Sequence, residues 1–192
     1  MARVFVITGP SGVGKGTLIR TLLERVPELE LAVSATTRAP RPGEENGTHY
    51  HFLDDIEFDR RVVEGDFLEH AEYSGRRYGT LRSELDKRTA EGASVVLEIE
   101  VQGARQVADT MPDAIRIFIA PPSEETLRTR LIGRGTDTPD QIEARLQMAK
   151  AELAASDEFA HVVHNDRLDD AADQLEQIVR GASCRDARNR GS

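Results

Sequence analysis

Apolar residues along this chain fall into short β-branched runs separated by stretches with helical spacing. "RVFVIT" (3–8), "VVLEIEV" (95–101) and "IRIFIA" (115–120) are too short for helices and rich in Val and Ile, which predicts buried strands. "HVVHN" (161–165) predicts a last short strand. "KGTLIRTLLERV" (15–26) places Leu18, Ile19, Leu22 and Val26 on one helical stripe, and Pro27 stops it. A helix is predicted over 123–135, with Ser123 as N-cap and two glutamates facing the positive end of its dipole. Thr138-Pro139-Asp140-Gln141 reads as a capping box with proline at the first helical position, opening a helix to about Ser156 whose apolar stripe packs a core. "LDDAADQLEQIVR" (168–180) predicts a final helix. Strands alternating with helices imply an α/β fold, a parallel sheet with helices on both faces.

Residues 34–90 break that rhythm. Turn signals at Pro42-Gly43, Asn46-Gly47 and Ser74-Gly75 flank short alternating runs such as "FLEHAEY", which predicts an inserted α+β lobe. The end of the chain, 182–192, has no periodicity and is expected to be disordered. The expected plan is one domain over 1–181, with a core of 1–33, 91–124 and 157–181 and a helical segment at 125–156.

Composition narrows the function. A formal net charge of -9 argues against non-specific nucleic-acid binding, which needs many Lys and Arg on phosphates. Arginines in the Pro- and Gly-rich loop at 36–52 are therefore expected to form a local anion site. The single cysteine, Cys184, allows no internal disulfide and suits a reducing compartment. "VFVI" falls short of the roughly seven apolar residues of a signal-peptide core, and no run approaches the roughly 18 of a spanning helix. A cytoplasmic protein with no membrane partner is expected. His49, His51, His70, His161 and His164 have no metal-binding spacing.

The strongest chemical signal is "GPSGVGK" (9–15), between the first strand and the first helix. This is the context of a Walker A loop. Its glycines let backbone N–H groups turn toward phosphate oxygens, the helix N-terminus adds partial positive charge, and Lys15 supplies a mobile cation. The expected ATP-binding set is Gly9, Pro10, Ser11, Gly12, Val13, Gly14, Lys15, Gly16 and Thr17. The Walker pattern has a metal-binding hydroxyl after the lysine, where this chain has Gly16. Thr17 is left as a phosphate contact or weak metal candidate, with Mg²⁺ held by ATP oxygens and waters.

The lobe is expected to bind what receives the phosphoryl group. Arg38 and Arg41 can grip a phosphate through the guanidinium fork, and Tyr50 can add a hydrogen bond. Glu69 can accept from two adjacent donors, as guanine N1–H and N2 present, while the Thr80 hydroxyl serves O6.

"TTRAPRPGEENGTHYHFL" resembles the guanylate kinase signature, with Arg38, Arg41, Glu44, Gly47, Tyr50 and Phe52 at the family's spacing. "FLEHAEYSGRRYGT", "LEIEVQGARQV", "PPSEETLRTRLIGRGTDT" and "HVVHNDRLDDA" extend the likeness over about 3–180. The resemblance implies a P-loop NTPase-type sheet, a GMP-binding lobe, a helical lid, and Mg²⁺-ATP-dependent phosphorylation of GMP, with dGMP as a further acceptor. It implies that Arg38, Arg41, Tyr50 and Tyr78 hold the GMP phosphate, and that Ser34, Glu69 and Thr80 meet the base. Asn165 would contact adenine, and Arg134 and Arg145 would be lid arginines on the transferring group. Glu98 and Glu100 stand where many members have aspartate. They are expected to share one face of a strand end, Glu98 toward Mg²⁺ through water and Glu100 toward GMP. Phosphoryl transfer needs positioning and charge neutralisation, so no nucleophile is expected. Arg130, one turn before Arg134, has a solvated helix face as its plain alternative. Three other functions fit the fold: a non-catalytic interaction domain, opposed by Lys15 and the intact glycines; a kinase for a phosphorylated sugar, opposed by Glu69 and Thr80; and a kinase for AMP, suggested by "GKGT" (14–17) and opposed by the same base-reading residues. A monomer or small homo-oligomer is expected.

Overall fold

The computed structural model describes residues 2–73, 75–133 and 138–188, with side chains through residue 182. The chain runs β1 (Val4–Thr8), α1 (Lys15–Arg25), β2 (Leu29–Leu31), β3 (Ser34–Thr36), β4 (His51–Phe52), α2 (Asp55–Glu64), β5 (Phe67–Tyr73) and β6 (Arg76–Leu81). It continues α3 (Arg82–Ala90), β7 (Ser94–Glu98), α4 (Val101–Thr110), β8 (Ile115–Ala120), α5 (Glu124–Gly133), α6 (Pro139–Leu153), β9 (His161–His164) and α7 (Leu168–Arg188).

The first sheet has order β2-β7-β1-β8-β9, and every pairing in it is parallel. Alternation along β1 sends Phe5 and Ile7 into a core with Leu18, Leu22, Ala171 and Leu175 of α1 and α7. Val4 and Val6 enter a second core with Ala104 and Val107 of α4. Both faces are thus covered, as a parallel sheet requires.

The inserted segment forms a second sheet, β4-β3-β6-β5, over a small core of Ala35, Phe58, Phe67 and Leu81. Phe58 of α2 stacks on Phe67 at 4.5 Å between ring centroids. Asp54 caps α2 by accepting from Glu57 N at 2.7 Å, and Gly65 ends it in the left-handed conformation. Between Phe67 and Glu69 the ladder shifts: Phe67 pairs with Leu81 but Glu69 pairs with Thr80. This β-bulge reverses the alternation, so Phe67 packs under α2 while Glu69 turns to the opposite face.

The capping box forms at Thr138 and Gln141, and α6 ends at Leu153, three residues short of expectation. The turn expected at Ser74-Gly75 falls partly outside the described residues. Two expectations are corrected. The strand expected to reach residue 101 ends at Glu98, because Glu100 becomes the N-cap of α4 and the chain turns into the helix there. The final helix does not stop at residue 180 but runs to Arg188, its backbone ladder carrying through the segment expected to be disordered; 189–192 lie outside the described residues.

Candidate active site

The loop from Gly9 to Gly14 leaves the carboxyl end of β1; Glu98 is the last residue of the adjacent β7, and Asn165 directly follows β9, two strands away in the same sheet. Carboxyl ends of parallel strands are where open α/β sheets bind ligands. Gly14, with φ 95°, is the N-cap of α1, and Gly9 has φ 145°. A Cβ on Gly9 would collide with the backbone of Ile119 in β8, so the loop lies hard against the sheet. Lys15 donates from Nζ to the Gly9 carbonyl at 2.5 Å, folding back over the loop. Gly16 and Thr17 are exposed at the start of α1, and a Cβ on Gly16 would meet nothing within 4 Å.

Asn165 is buried and donates from Nδ2 to Val13 O at 2.8 Å, so the residue expected at adenine braces the phosphate loop from behind. The same carbonyl accepts from Arg130 Nη1 at 3.1 Å, and Arg130 Nη2 donates to Asn165 O at 3.0 Å. Arg130 is therefore no solvated helix-face residue; it ties α5 to the loop and to the end of β9. Its spacing from Arg134 carries no trace of this, because both acceptors are distant backbone carbonyls. Replacing Arg130 by methionine keeps the stem and removes both bonds. The expected result is a several-fold rise in the KM for ATP, with the KM for GMP little changed, read by steady-state kinetics.

Ser34, Thr80 and Glu69 stand in one row across β3, β6 and β5, fixed by the registers Ser34↔Thr80 and Glu69↔Thr80. Thr80 Oγ1 donates to Glu69 Oε1 at 2.8 Å, and both residues are buried. Burial pushes the Glu69 carboxyl up to about 7, against the hydrogen bonds from Thr80. Tyr78 pairs with Thr36 farther along β6, and its ring lies 6.3 Å from Tyr50. Arg38 lies 5.2 Å over the Tyr50 ring. Ser34, Tyr50, Glu69 and Tyr78 thus line one cleft on the lobe, with Arg38 over Tyr50, while Glu100 enters that cleft from α4 and Arg41 is not among its lining residues.

Glu44 was legible only as a signature position, yet it organises the arginine loop. Arg38 donates to it through Nη1 at 2.9 Å and Nη2 at 2.8 Å, and the Arg41 backbone N–H donates at 2.7 Å. Those bonds hold the Glu44 carboxyl down at about 2, with Arg38 the larger cause. Arg41 itself is exposed.

Glu98 and Glu100 do not share a strand, which corrects the expected geometry: Glu98 ends β7 and Glu100 opens α4. Both nevertheless line the same cleft, because the chain bends between them. Burial pushes Glu98 up, with Lys15 opposing. Glu152 of α6 is a further acid at this point, raised by burial and then by Glu100. Among the described residues no group of three or more His, Cys, Asp and Glu is placed to cage a metal. Glu98 lines the phosphate-loop cleft beside Lys15 and is a hard oxygen donor, which suits a Mg²⁺ carried in by a nucleotide, while Glu100 Oε2 is buried with no hydrogen-bond partner among the described residues. Arg145 lies close enough to Tyr73 to act on its hydroxyl electrostatically, which puts it on the site side of α6. Arg134 lies outside the described residues.

Two clefts result. One, of about 260 Å³, is lined by Ser34, Tyr50, Glu69 and Tyr78; the other, of about 320 Å³, follows the phosphate loop. Lys15, Tyr73, Glu98 and Glu100 line both.

Comparison with known proteins gives the same arrangement a family. The family model described as "Guanylate kinase" matches residues 1–182. The guanylate kinase of Thermobifida fusca is 50% identical over 181 residues, covering 94% of this chain and 92% of that one. That of Synechococcus sp. strain CC9902 is 53% identical over 174 residues, 91% of this chain and 93% of that one. The crystal structure of guanylate kinase from Anaplasma phagocytophilum aligns with a TM-score of 0.76 at 34% identity, over 94% of this chain and 85% of that one. With likeness of this depth running across core, lobe and lid together, the chain belongs to the guanylate kinase family.

Proposed function

We propose that this protein transfers the γ-phosphoryl group of Mg²⁺-ATP to GMP, and also to dGMP, giving ADP and the nucleoside diphosphate. The observation that carries the reading is the meeting of the two clefts at Lys15, Tyr73, Glu98 and Glu100. A phosphate donor on the loop and an acceptor in the lobe would present their phosphates to each other there.

In this reading the loop amides and Lys15 hold the β- and γ-phosphates, with Asn165 and Arg130 keeping the loop in shape. Arg38, Arg41, Tyr50 and Tyr78 hold the acceptor phosphate, and Ser34, Glu69, Thr80 and Glu100 meet the base and sugar side. Glu98 would reach Mg²⁺ through a water; the metal, when bound, neutralises charge on the donor phosphates. Arg134 and Arg145 act from the lid. Glu44 holds the Arg38 fork in place before substrate arrives. No side chain needs to become covalently attached, since aligned reactants and fixed positive charge lower the barrier. Lid closure excludes water, which would otherwise take the phosphoryl group. Among the described residues no helix is long and apolar enough to cross a membrane. A cytoplasmic setting and a monomer or small homo-oligomer belong to the same proposal.

A coupled ADP-release assay with Mg-ATP against GMP, dGMP, AMP, UMP and ribose phosphates tests it. Turnover confined to GMP and dGMP is expected. Turnover on a sugar phosphate would keep the loop assignment and overturn that of the lobe. GMP binding with no turnover would favour an interaction domain.

A further inference from the structure

Gly103 sits in the first turn of α4, and no positive φ accounts for it. A glycine within a helix costs about 1 kcal/mol of stability relative to alanine. Its surroundings supply the reason it is there. A Cβ built at Gly103 would stand 2.9 Å from Glu69 Cδ and closer still to Oε2. The Glu69 carboxyl therefore rests on the bare backbone of α4, in space that any other residue would fill.

Neither partner can move aside cheaply except at the carboxyl itself. Gln106, three residues on in α4, donates from Nε2 to His70 O at 2.7 Å and accepts from His70 N at 3.1 Å. That paired bond pins α4 to β5 one residue away from Glu69, so helix and strand cannot slide apart to admit a methyl group. The other end of Glu69 is set by the bulge, which fixes the direction of its side chain. The yielding element is the carboxylate, held at Oε1 by the Thr80 hydroxyl at 2.8 Å.

We propose that Gly103 is a specificity-positioning residue: its missing side chain is the seat that holds the Glu69 carboxyl at the angle required by the acceptor base. This rests on Glu69 meeting the guanine N1–H and N2 donors, as proposed above. The seat makes an unusual combination of demands on one substitution. Gly103→Ala should fold at least as well as the parent, because alanine favours helix and the clash falls on a movable side-chain end. It should nonetheless lose the base, because the displaced carboxylate breaks from Thr80 and no longer faces both donors.

The test is Gly103→Ala measured by thermal melting and by steady-state kinetics with GMP and with inosine monophosphate, which lacks the 2-amino group. The expected result is an unchanged or higher Tm, a KM for GMP raised about tenfold or more, a KM for ATP within about twofold, and a smaller preference for GMP over inosine monophosphate. Glu69→Asp, which withdraws the carboxyl by one methylene, should cost less in the Gly103→Ala background than in the parent. An unchanged KM for GMP, a lowered Tm, or equal rises in both KM values would each overturn the seat. Glu69→Gln separates this from the underlying assignment. If that variant leaves GMP kinetics untouched, the base-reading role of Glu69 fails; if it impairs GMP while Gly103→Ala does not, only the seat fails.

Discussion

Replacing Lys15 by alanine is expected to lower kcat about a thousandfold, with the melting temperature unchanged or slightly raised. The catalytic half follows from charge. Removing one preorganised charge from a transferring phosphoryl group costs about 3–4 kcal/mol, or two to three powers of ten in rate. Lys15 is also the lining residue common to the loop and acceptor clefts that carries positive charge, so it is the cation best placed to follow the phosphoryl group between them. The stability half follows from position. Lys15 opens α1, where a cation opposes the helix dipole and alanine does not. Its bonds go to the Gly9 and Pro10 carbonyls of its own loop, which can accept water in its absence. Kinetics and melting measured on one preparation separate the two halves. Near-parental kcat would remove Lys15 from the transfer site, and a large fall in Tm would make it a structural residue.

The parts of this site legible in the sequence are those in which local chain geometry and chemistry coincide. The phosphate loop is one, because a strand, a glycine-rich turn and a helix N-terminus must be contiguous to make it. The row Ser34, Thr80 and Glu69 is half legible. The residue types fit a guanine edge, but their alignment depends on pairing registers and on a bulge at Leu68 that "FLEHAEY" does not betray. Period-two alternation alone would put Phe67 and Glu69 on the same face. Glu98 and Glu100 show the opposite failure, where two residues on a supposed strand reach one cleft only because the strand has ended. Arg130, Gln106 and Gly103 act through backbone carbonyls, a backbone N–H or empty space on remote elements. Contacts of that kind leave no pattern along the chain. The lid shows the same division: its capping box is a local device and was legible, while its contact with the loop through Arg130 was not.

Glu69→Gln is expected to raise the KM for GMP about a hundredfold while the KM for ATP stays within about twofold. The substitution exchanges an acceptor-only carboxylate for an amide whose NH₂ faces the donors of the base, so one hydrogen bond is lost and two donors are left opposed. In a buried site such a loss to a charged partner is worth about 1.5–3 kcal/mol, and the unpaired group left behind adds to it. The same burial ties the effect to pH. Glu69 titrates at about 7 in the folded protein, raised from 4.5 by desolvation, so the form that accepts two hydrogen bonds prevails above about 7 and declines below it. GMP binding to the parent should therefore weaken as pH falls from 8 toward 6. The phosphate of GMP also titrates near 6, a contribution that Glu69→Gln shares, so the difference between the two profiles isolates the carboxyl. Stability runs the other way. A group whose folded pKa is raised stabilises the fold fully below its unfolded value, near 4.5, and that contribution is lost as pH rises through about 7. Glu69→Gln should accordingly melt higher than the parent at pH 8 and show no such advantage at pH 5. A pH-independent difference in GMP binding, or a variant less stable at pH 8, would place the ionised carboxyl elsewhere than in the guanine site; the expected pair of results would show a buried charge kept at a cost to the fold because the acceptor base requires it.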